Sequence, residues 1–158
     1  MRIELRPVPE SPDAVGTLDG EVLTFVGRDA FVGGQPFPQG EIGEALAEAV
    51  EEAATALWGS DYLGSLSRVS GLNRRSVVGD RIARNGLPDW LLRILAYGAG
   101  HPAPRALGYL MLAAAEVLDA TDEHPHADTG ALAHQGLEDA LALVARARTM
   151  KRLPAGTR

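Results

Sequence analysis

The stretch from Ser60 to Pro88 constrains the fold of this chain most strongly. Gly59 is expected to end a preceding helix, because glycine accepts the left-handed conformation of a C-terminal cap. Ser60 and Asp61 then offer side-chain oxygens to the free N–H groups of a new helix. Apolar residues at helical spacing predict that this helix covers Asp61–Ser70; they are Leu63, Leu66 and Val69.

A second helix is predicted directly after the first. Gly71 breaks the pattern, and Asn73 is a favourable N-cap for a helix over Arg74–Arg84. Val78 and Ile82 are spaced i and i+4, so both are expected to anchor this helix in the core. Two short helices around a tight turn that contains glycine have the form of a helix-turn-helix, here at about residues 60–88.

The segment from Leu66 to Val77, LSRVSGLNRRSV, resembles the helix-turn-helix core of phage- and prophage-type DNA-binding regulators. The family has a small residue four before the turn glycine, an apolar residue after it and another five positions later. Ser67, Leu72 and Val77 occupy these positions. The resemblance implies that Arg74–Arg84 is a recognition helix that enters the major groove of DNA.

Helical projection of this recognition helix identifies candidate DNA contacts. With Val78 and Ile82 inward, Ser76, Asp80 and Arg84 turn outward. We expect Asp80 to accept a hydrogen bond from a cytosine amine or to orient an arginine. Arg68, on the first helix, is suited to backbone phosphate. The full candidate set is Arg68, Asn73, Arg74, Arg75, Ser76, Asp80, Arg81 and Arg84.

The charge distribution agrees with this prediction. The chain has a net charge of −6, and residues 1–60 carry 3 basic and 11 acidic side chains. Residues 61–93 carry 6 basic and 3 acidic side chains, and all six cations are arginine. Arginine is a better hydrogen-bond donor than lysine to phosphate groups and to base edges. The basic segment therefore coincides with the predicted helix-turn-helix.

Residues 1–40 read as a small β meander. Glu21–Val26 is the strongest strand, because it is rich in β-branched and aromatic residues. Asp19-Gly20 predicts a hairpin that pairs it with Val15–Leu18. A short third strand is expected at Ala30–Val32, and Arg2–Arg6 alternates enough for a further strand. We expect residues 33–38 to form a loop.

The remainder, residues 41–158, is predicted to be helical. A helix over Glu41–Trp58 has one apolar stripe and an acidic outer side. The helix that starts at Pro88 and Asp89 is expected to be largely buried through Trp90, Leu91, Ile94, Leu95 and Tyr97. Helices at about 104–119 and 130–150 form a C-terminal helical hairpin, with Asp128 or Thr129 as the cap of the second. The expected fold is mainly α, with the meander packed on a five- to six-helix domain.

Several chemistries find no support in the sequence. There are no cysteines, the glycines at 27, 33 and 34 lack the P-loop and dinucleotide patterns, and no G-x-S-x-G motif occurs. We therefore expect no enzyme activity and no cofactor. His124, His126 and His134 lie near carboxylates and could bind a metal, although a solvated helix–helix loop is the simpler interpretation. Without a signal peptide or a long apolar run, a cytoplasmic protein is expected.

Three functions remain from the sequence. The first is a sequence-specific transcriptional regulator that binds double-stranded DNA, as a homodimer or higher homo-oligomer formed through the C-terminal helices. The second is a phage DNA-packaging or virion-associated helical assembly protein. The third is a protein-interaction module that binds no DNA, because many helical proteins contain the helix-turn-helix shape without that function.

Overall fold

The computed structural model describes residues 1–123 and 128–157, and these divide into two compact units, residues 1–112 and 113–158. Five strands precede six α-helices in the described chain. The strands are β1 (Ile3–Leu5), β2 (Ala14–Leu18), β3 (Glu21–Val26), β4 (Asp29–Val32) and β5 (Gln35–Phe37). The helices are α1 (Gln39–Trp58), α2 (Leu63–Ser70), α3 (Gly79–Asn85), α4 (Asp89–Ala99), α5 (Pro104–Asp122) and α6 (Thr129–Arg152).

The strands form one antiparallel sheet in which each pairs with its neighbour in the chain. The predicted Asp19-Gly20 hairpin is confirmed, since Leu18 pairs with Glu21 and both turn residues have positive φ. The strand predicted over Arg2–Arg6 is confirmed as β1, which pairs with β2 beside the predicted meander of β2, β3 and β4. β5, which pairs with β4 on the other side, was not predicted.

Residues 33–38 do not form the predicted loop. Gly33 and Gly34, with φ of 55° and 82°, make a two-residue turn that folds β5 back on β4. Pro36 lies within β5, which proline tolerates because an edge strand leaves one row of backbone groups without a ladder partner. The glycine pair thus forms a hairpin turn. The sequence analysis predicted a loop here because the segment also contains Pro36 and Pro38.

The first unit has one hydrophobic core, formed by the inner face of the sheet together with α1, α3 and α4. The apolar stripe predicted for α1 is buried as expected, and Ile42, Leu46, Val50 and Leu57 are all fully enclosed. The sheet contributes residues from its first four strands, among them Ile3, Val15, Leu23, Phe25 and Ala30. Strands and helices therefore stabilise each other, which a small sheet needs for independent stability.

The prediction that α4 is largely buried is wrong for three of its residues. Trp90, Ile94 and Tyr97 are exposed, while Leu91, Leu92, Leu95 and Ala96 face the core. The two sets lie on opposite sides of the helix, so α4 has one buried and one exposed side although both carry apolar residues. Composition alone could not show which stripe faces inward.

The second unit contains all of α6, which begins and ends within two residues of its prediction. Asp128 caps it as expected, because its Oδ1 accepts a hydrogen bond from the N–H of Ala131 at 3.0 Å.

His124 and His126 of the possible metal site lie outside the described residues, and His134 pairs with Glu138 at 3.2 Å. Within the described ranges, no three His, Asp or Glu side chains form a metal-binding group. None of the helices described there is both long and apolar enough to cross a bilayer.

Candidate nucleic-acid interface

Gly71 ends α2 as predicted, and two serines, whose part the sequence analysis did not predict, help to fix that end. Gly71 has φ of 73° and donates its N–H to the carbonyl of Ser67 at 2.9 Å. The Ser67 hydroxyl donates to the carbonyl of Leu72 at 2.7 Å, and the Ser70 hydroxyl accepts from the N–H of Leu72 at 3.2 Å. These bonds hold the direction in which the chain leaves the helix. The start of α2 differs from its prediction, because Tyr62 and not Ser60 or Asp61 is the N-cap.

Asn73 is a cap, but for a single turn of 3-10 helix over Arg74–Ser76. Its Oδ1 accepts from the N–H of Arg75 at 2.9 Å, and its carbonyl accepts from the N–H of Ser76 at 2.8 Å. Val77 follows and is fully buried, so it anchors this turn to the core. The side chains of the turn itself are exposed.

The continuous helix predicted over Arg74–Arg84 is therefore wrong. Val78 is extended, with φ of −77° and ψ of 148°, and α3 begins only at Gly79. The predicted anchor Val78 is only half buried, and Val77 takes its place beside Ile82. Because of this break, Gly79 begins α3 and is not interior to a helix, and Asp80 lies in the first turn, where a carboxylate is favourable.

α3 is held closely against α1. A Cβ added at Gly43 would lie 1.9 Å from the carbonyl oxygen of Ala83, so the two helices meet backbone to backbone. The Gln39 side-chain amide donates to the carbonyls of Ile82 and Ala83 at 3.4 and 3.3 Å. The Ile82 carbonyl also accepts from the N–H of Gly86 at 2.7 Å, so the amide is an additional donor to the last carbonyls of α3, where a helix leaves acceptors unsatisfied.

Arg28 is a component of the candidate interface that the sequence did not reveal. It lies in the β3–β4 turn, and its Nη1 donates to the carbonyls of Asn85 and Gly86, each at 3.0 Å. The backbone N–H of Asp89 also donates to the carbonyl of Gly27 at 2.8 Å. A cation at a helix C-terminus complements the helix dipole. The hairpin turn is thus tied to the end of α3.

These elements enclose one basic cleft, with a volume of about 260 Å³, lined by Arg28, Arg75, Ser76, Arg81 and Asn85. We call it the arginine cleft. Three guanidinium groups come from three separate elements: the sheet turn, the 3-10 turn and α3. In the described part of the chain, neither Arg75 nor Arg81 forms an ion pair with a carboxylate.

The other candidate residues take different positions. Arg74 turns back toward α2, since a Cβ at Gly64 would lie 3.6 Å from its Nη1. Arg84 donates from Nε to the carbonyl of Asp80 at 3.1 Å on its own helix. Arg68 is exposed in the last turn of α2. The structure thus brings Arg75, Ser76 and Arg81 together in the cleft.

A titratable group at the N-cap of α2 is perturbed by its surroundings. Burial raises the pKa of the Tyr62 phenol above its ordinary value, and the nearby Glu51 carboxylate raises it further. The phenol therefore stays neutral at physiological pH and contributes packing.

No protein-family model, curated protein or solved structure matches this chain.

Proposed function

We propose that this protein binds double-stranded DNA, as a transcriptional regulator whose contact surface is the arginine cleft together with the exposed side of α3. The observation that carries the proposal is the convergence of Arg28, Arg75 and Arg81 on one cleft without carboxylate partners in the described chain. An acidic protein with a net charge of −6 would not need such a cluster for solubility.

The electrostatics of the cleft favour a phosphate group. Three like charges around 260 Å³ repel one another, and an anion between them removes that repulsion. Guanidinium groups present parallel N–H donors that match the oxygens of a phosphodiester. Ser76 and Asn85 add neutral donors at the rim of the same cleft. Phosphate contacts of this kind position a protein on the duplex.

Sequence reading is assigned to the exposed side of α3. An α-helix with its side chains is about 10–12 Å in diameter, close to the width of the major groove, and α3 has seven residues, a length of about 10 Å. Asp80 and Arg84 lie on that side, one turn apart, and the Arg84 bond to the Asp80 carbonyl holds the guanidinium along the helix. These two residues are the candidates for contact with base edges.

The test is fluorescence anisotropy with labelled duplex fragments at low salt. The Arg75→Ala/Arg81→Ala variant should bind at least about tenfold more weakly, because it loses two charge-assisted contacts to phosphate. Each such contact contributes about 1.5–3 kcal/mol when buried and less when exposed. The matched control is Arg2→Ala/Arg6→Ala, which removes two exposed arginines from the two ends of β1, where both lie near Glu4. That control should bind as the unmodified protein does.

Equal loss in both variants would mean that only net charge matters, and the arginine cleft would be the wrong site. No binding of the unmodified protein to any fragment at low salt would exclude DNA binding as a class. Sequence specificity is tested separately by selection from random duplexes. Enrichment of a shared site that Asp80→Ala alters supports base reading by α3.

A DNA-packaging or virion-associated assembly is the second candidate, and the observation that favours it is the exposure of α6. None of its residues is buried, and several of its apolar side chains are exposed. Native mass spectrometry distinguishes the two functions, because a regulator with two-fold symmetry forms dimers and a packaging assembly forms a larger closed ring.

A further inference from the structure

The long helix α6 carries an apolar stripe that the described residues leave exposed. Leu137, Leu141 and Val144 follow one another at i, i+4 and i+7, which places them on one side of the helix. They are 40%, 65% and 51% exposed. Regularly spaced apolar side chains on one face are typical of a helix that packs against another helix.

The second unit also lacks a core of its own. Among its described residues only Thr121 is buried, and the hydrophobic core contains none of them. Most helical stability in proteins comes from packing of an apolar face, and the described residues give the α6 stripe no such packing. The stripe on α6 therefore needs a partner surface for the helix to be stable.

The charges of α6 are distributed unequally along its length. Glu138 and Asp139 lie before its middle, whereas Arg146, Arg148, Lys151 and Arg152 lie after it. Two copies side by side in parallel would set like charges at the same level. Two copies in antiparallel orientation would set the acidic part of one against the basic part of the other, which is favourable.

We propose that α6 pairs with α6 of a second copy of this chain as an antiparallel two-helix interface centred between residues 142 and 143. In this register Leu141 of one copy lies level with Val144 of the other. Arg148, which continues the same stripe, lies level with Leu137 of the other copy. Its aliphatic stem covers that leucine, and its guanidinium pairs with the adjacent Glu138.

The arrangement is isologous, so each pair of contacts occurs twice. Glu138 now pairs with His134 of its own helix at 3.2 Å, with both side chains exposed. An exposed pair of this kind contributes little to stability, so the arginine of the second copy can replace or join the histidine.

The experiment measures self-association of the full chain by sedimentation equilibrium. The unmodified protein should form a dimer. Leu141→Glu should raise the dimer dissociation constant at least about a hundredfold, because both copies lose a buried leucine and bury a carboxylate. Leu143→Glu is the matched control. The Leu143 side chain is 66% exposed, nearly the same fraction as that of Leu141, but it lies about 200° away from Leu141 around the helix. It should leave the dimer intact.

A charge exchange tests the orientation. Glu138→Arg and Arg148→Glu should each weaken the dimer, and the variant that carries both should regain most of the lost affinity, because every pair is restored with its signs reversed. In a parallel pair, residue 138 would face residue 138 of the other copy, so each single change would replace one like-charge pair by another and would not weaken the dimer. Circular dichroism checks that each variant remains folded.

A monomeric unmodified protein overturns the proposal. So does a dimer that Leu143→Glu disrupts and Leu141→Glu does not, since the interface would then lie on the opposite side of α6. Failure of the double variant to recover overturns the antiparallel register. DNA binding by the arginine cleft is measured independently, so neither proposal depends on the other.

Discussion

Replacing Gly43 with alanine should destabilise this protein, although the same change in an ordinary helix stabilises it. Alanine is preferred over glycine inside a helix by about 1 kcal/mol. At Gly43, however, the added Cβ would lie 1.9 Å from the carbonyl oxygen of Ala83. That oxygen belongs to the backbone of α3, so it cannot turn away as the end of a flexible side chain can.

The magnitude follows from the separation that the methyl group requires. Ordinary contact between carbon and neighbouring heavy atoms begins at about 3.5 Å, so α1 and α3 must move apart by roughly 1.5 Å. Overpacking of this kind costs about 1–3 kcal/mol. The Gln39 hydrogen bonds to α3, already 3.3 and 3.4 Å long, would break and cost about 1 kcal/mol more. After the helix-propensity gain, the net loss should be about 1–3 kcal/mol.

The assay is urea denaturation followed by circular dichroism, with the free energy of unfolding obtained by linear extrapolation. Gly40→Ala is the control, because Gly40 lies in the same helix and an added Cβ would contact nothing within 4 Å. It should be neutral or stabilising by up to about 1 kcal/mol. If Gly43→Ala were as stable as Gly40→Ala, the close packing of α1 on α3 would be refuted. Since α3 carries Arg81, the Gly43 variant should also bind DNA more weakly.

Three further predictions concern single residues around the interface. Because the pKa of Tyr62 is raised above its ordinary value of 10.0 in the folded state, the free energy of unfolding should fall as the pH rises above about 10. Tyr62→Phe should reduce that slope, and an unchanged slope would contradict the shift. Asn73→Ala should cost about 1 kcal/mol in urea denaturation, whereas Asn73→Asp keeps the capping oxygen and should cost less; equal losses would show that the cap is unimportant. Arg28→Ala should lower stability by about 0.5–1 kcal/mol through the two carbonyls left unpaired at the end of α3, and Arg28→Lys should recover part of it; no loss would mean that water replaces the guanidinium fully.

The order and type of most elements could be predicted from local signals. Asp19-Gly20 identifies a hairpin, the apolar stripe after Gln39 identifies α1, and Gly71 ends α2 as a left-handed cap. Each of these features depends on the preferences of a few adjacent residues. Turns, helix caps and apolar stripes of this kind can be predicted without knowledge of the fold.

The features that failed depend on contacts between distant segments. The break before Gly79 arises because Val77 is buried in the core, and the spacing of Val78 and Ile82 fitted a continuous helix equally well. The side of α4 that faces solvent was equally hidden, since Trp90 and Ile94 are as apolar as the leucines that are buried. In both cases tertiary packing determined the structure, and the spacing of apolar residues along the sequence did not reveal it.

The composition of the arginine cleft shows the same limit. Arg75 and Arg81 belong to the basic segment that the charge distribution identified. Arg28 lies more than forty residues earlier, in the most acidic third of the chain. Its hydrogen bonds to Asn85 and Gly86, together with the bond from the Asp89 N–H to the Gly27 carbonyl, hold it at the cleft. A charged residue at the tip of a hairpin next to glycine was the only signal in the sequence, and it does not specify a partner.

The salt dependence of DNA binding tests the central claim most directly. The logarithm of the binding constant should fall linearly with the logarithm of salt concentration, with a slope proportional to the number of phosphates neutralised. Replacing Arg28, Arg75 and Arg81 together with alanine should reduce the slope by about 1, because the three guanidinium groups line one cleft for one phosphate and each phosphate that is no longer neutralised lowers the slope by about 1. The Arg2→Ala/Arg6→Ala control should keep the slope of the unmodified protein. An unchanged slope in the triple variant, with the fold intact by circular dichroism, would contradict the assignment of the arginine cleft as the DNA-binding surface.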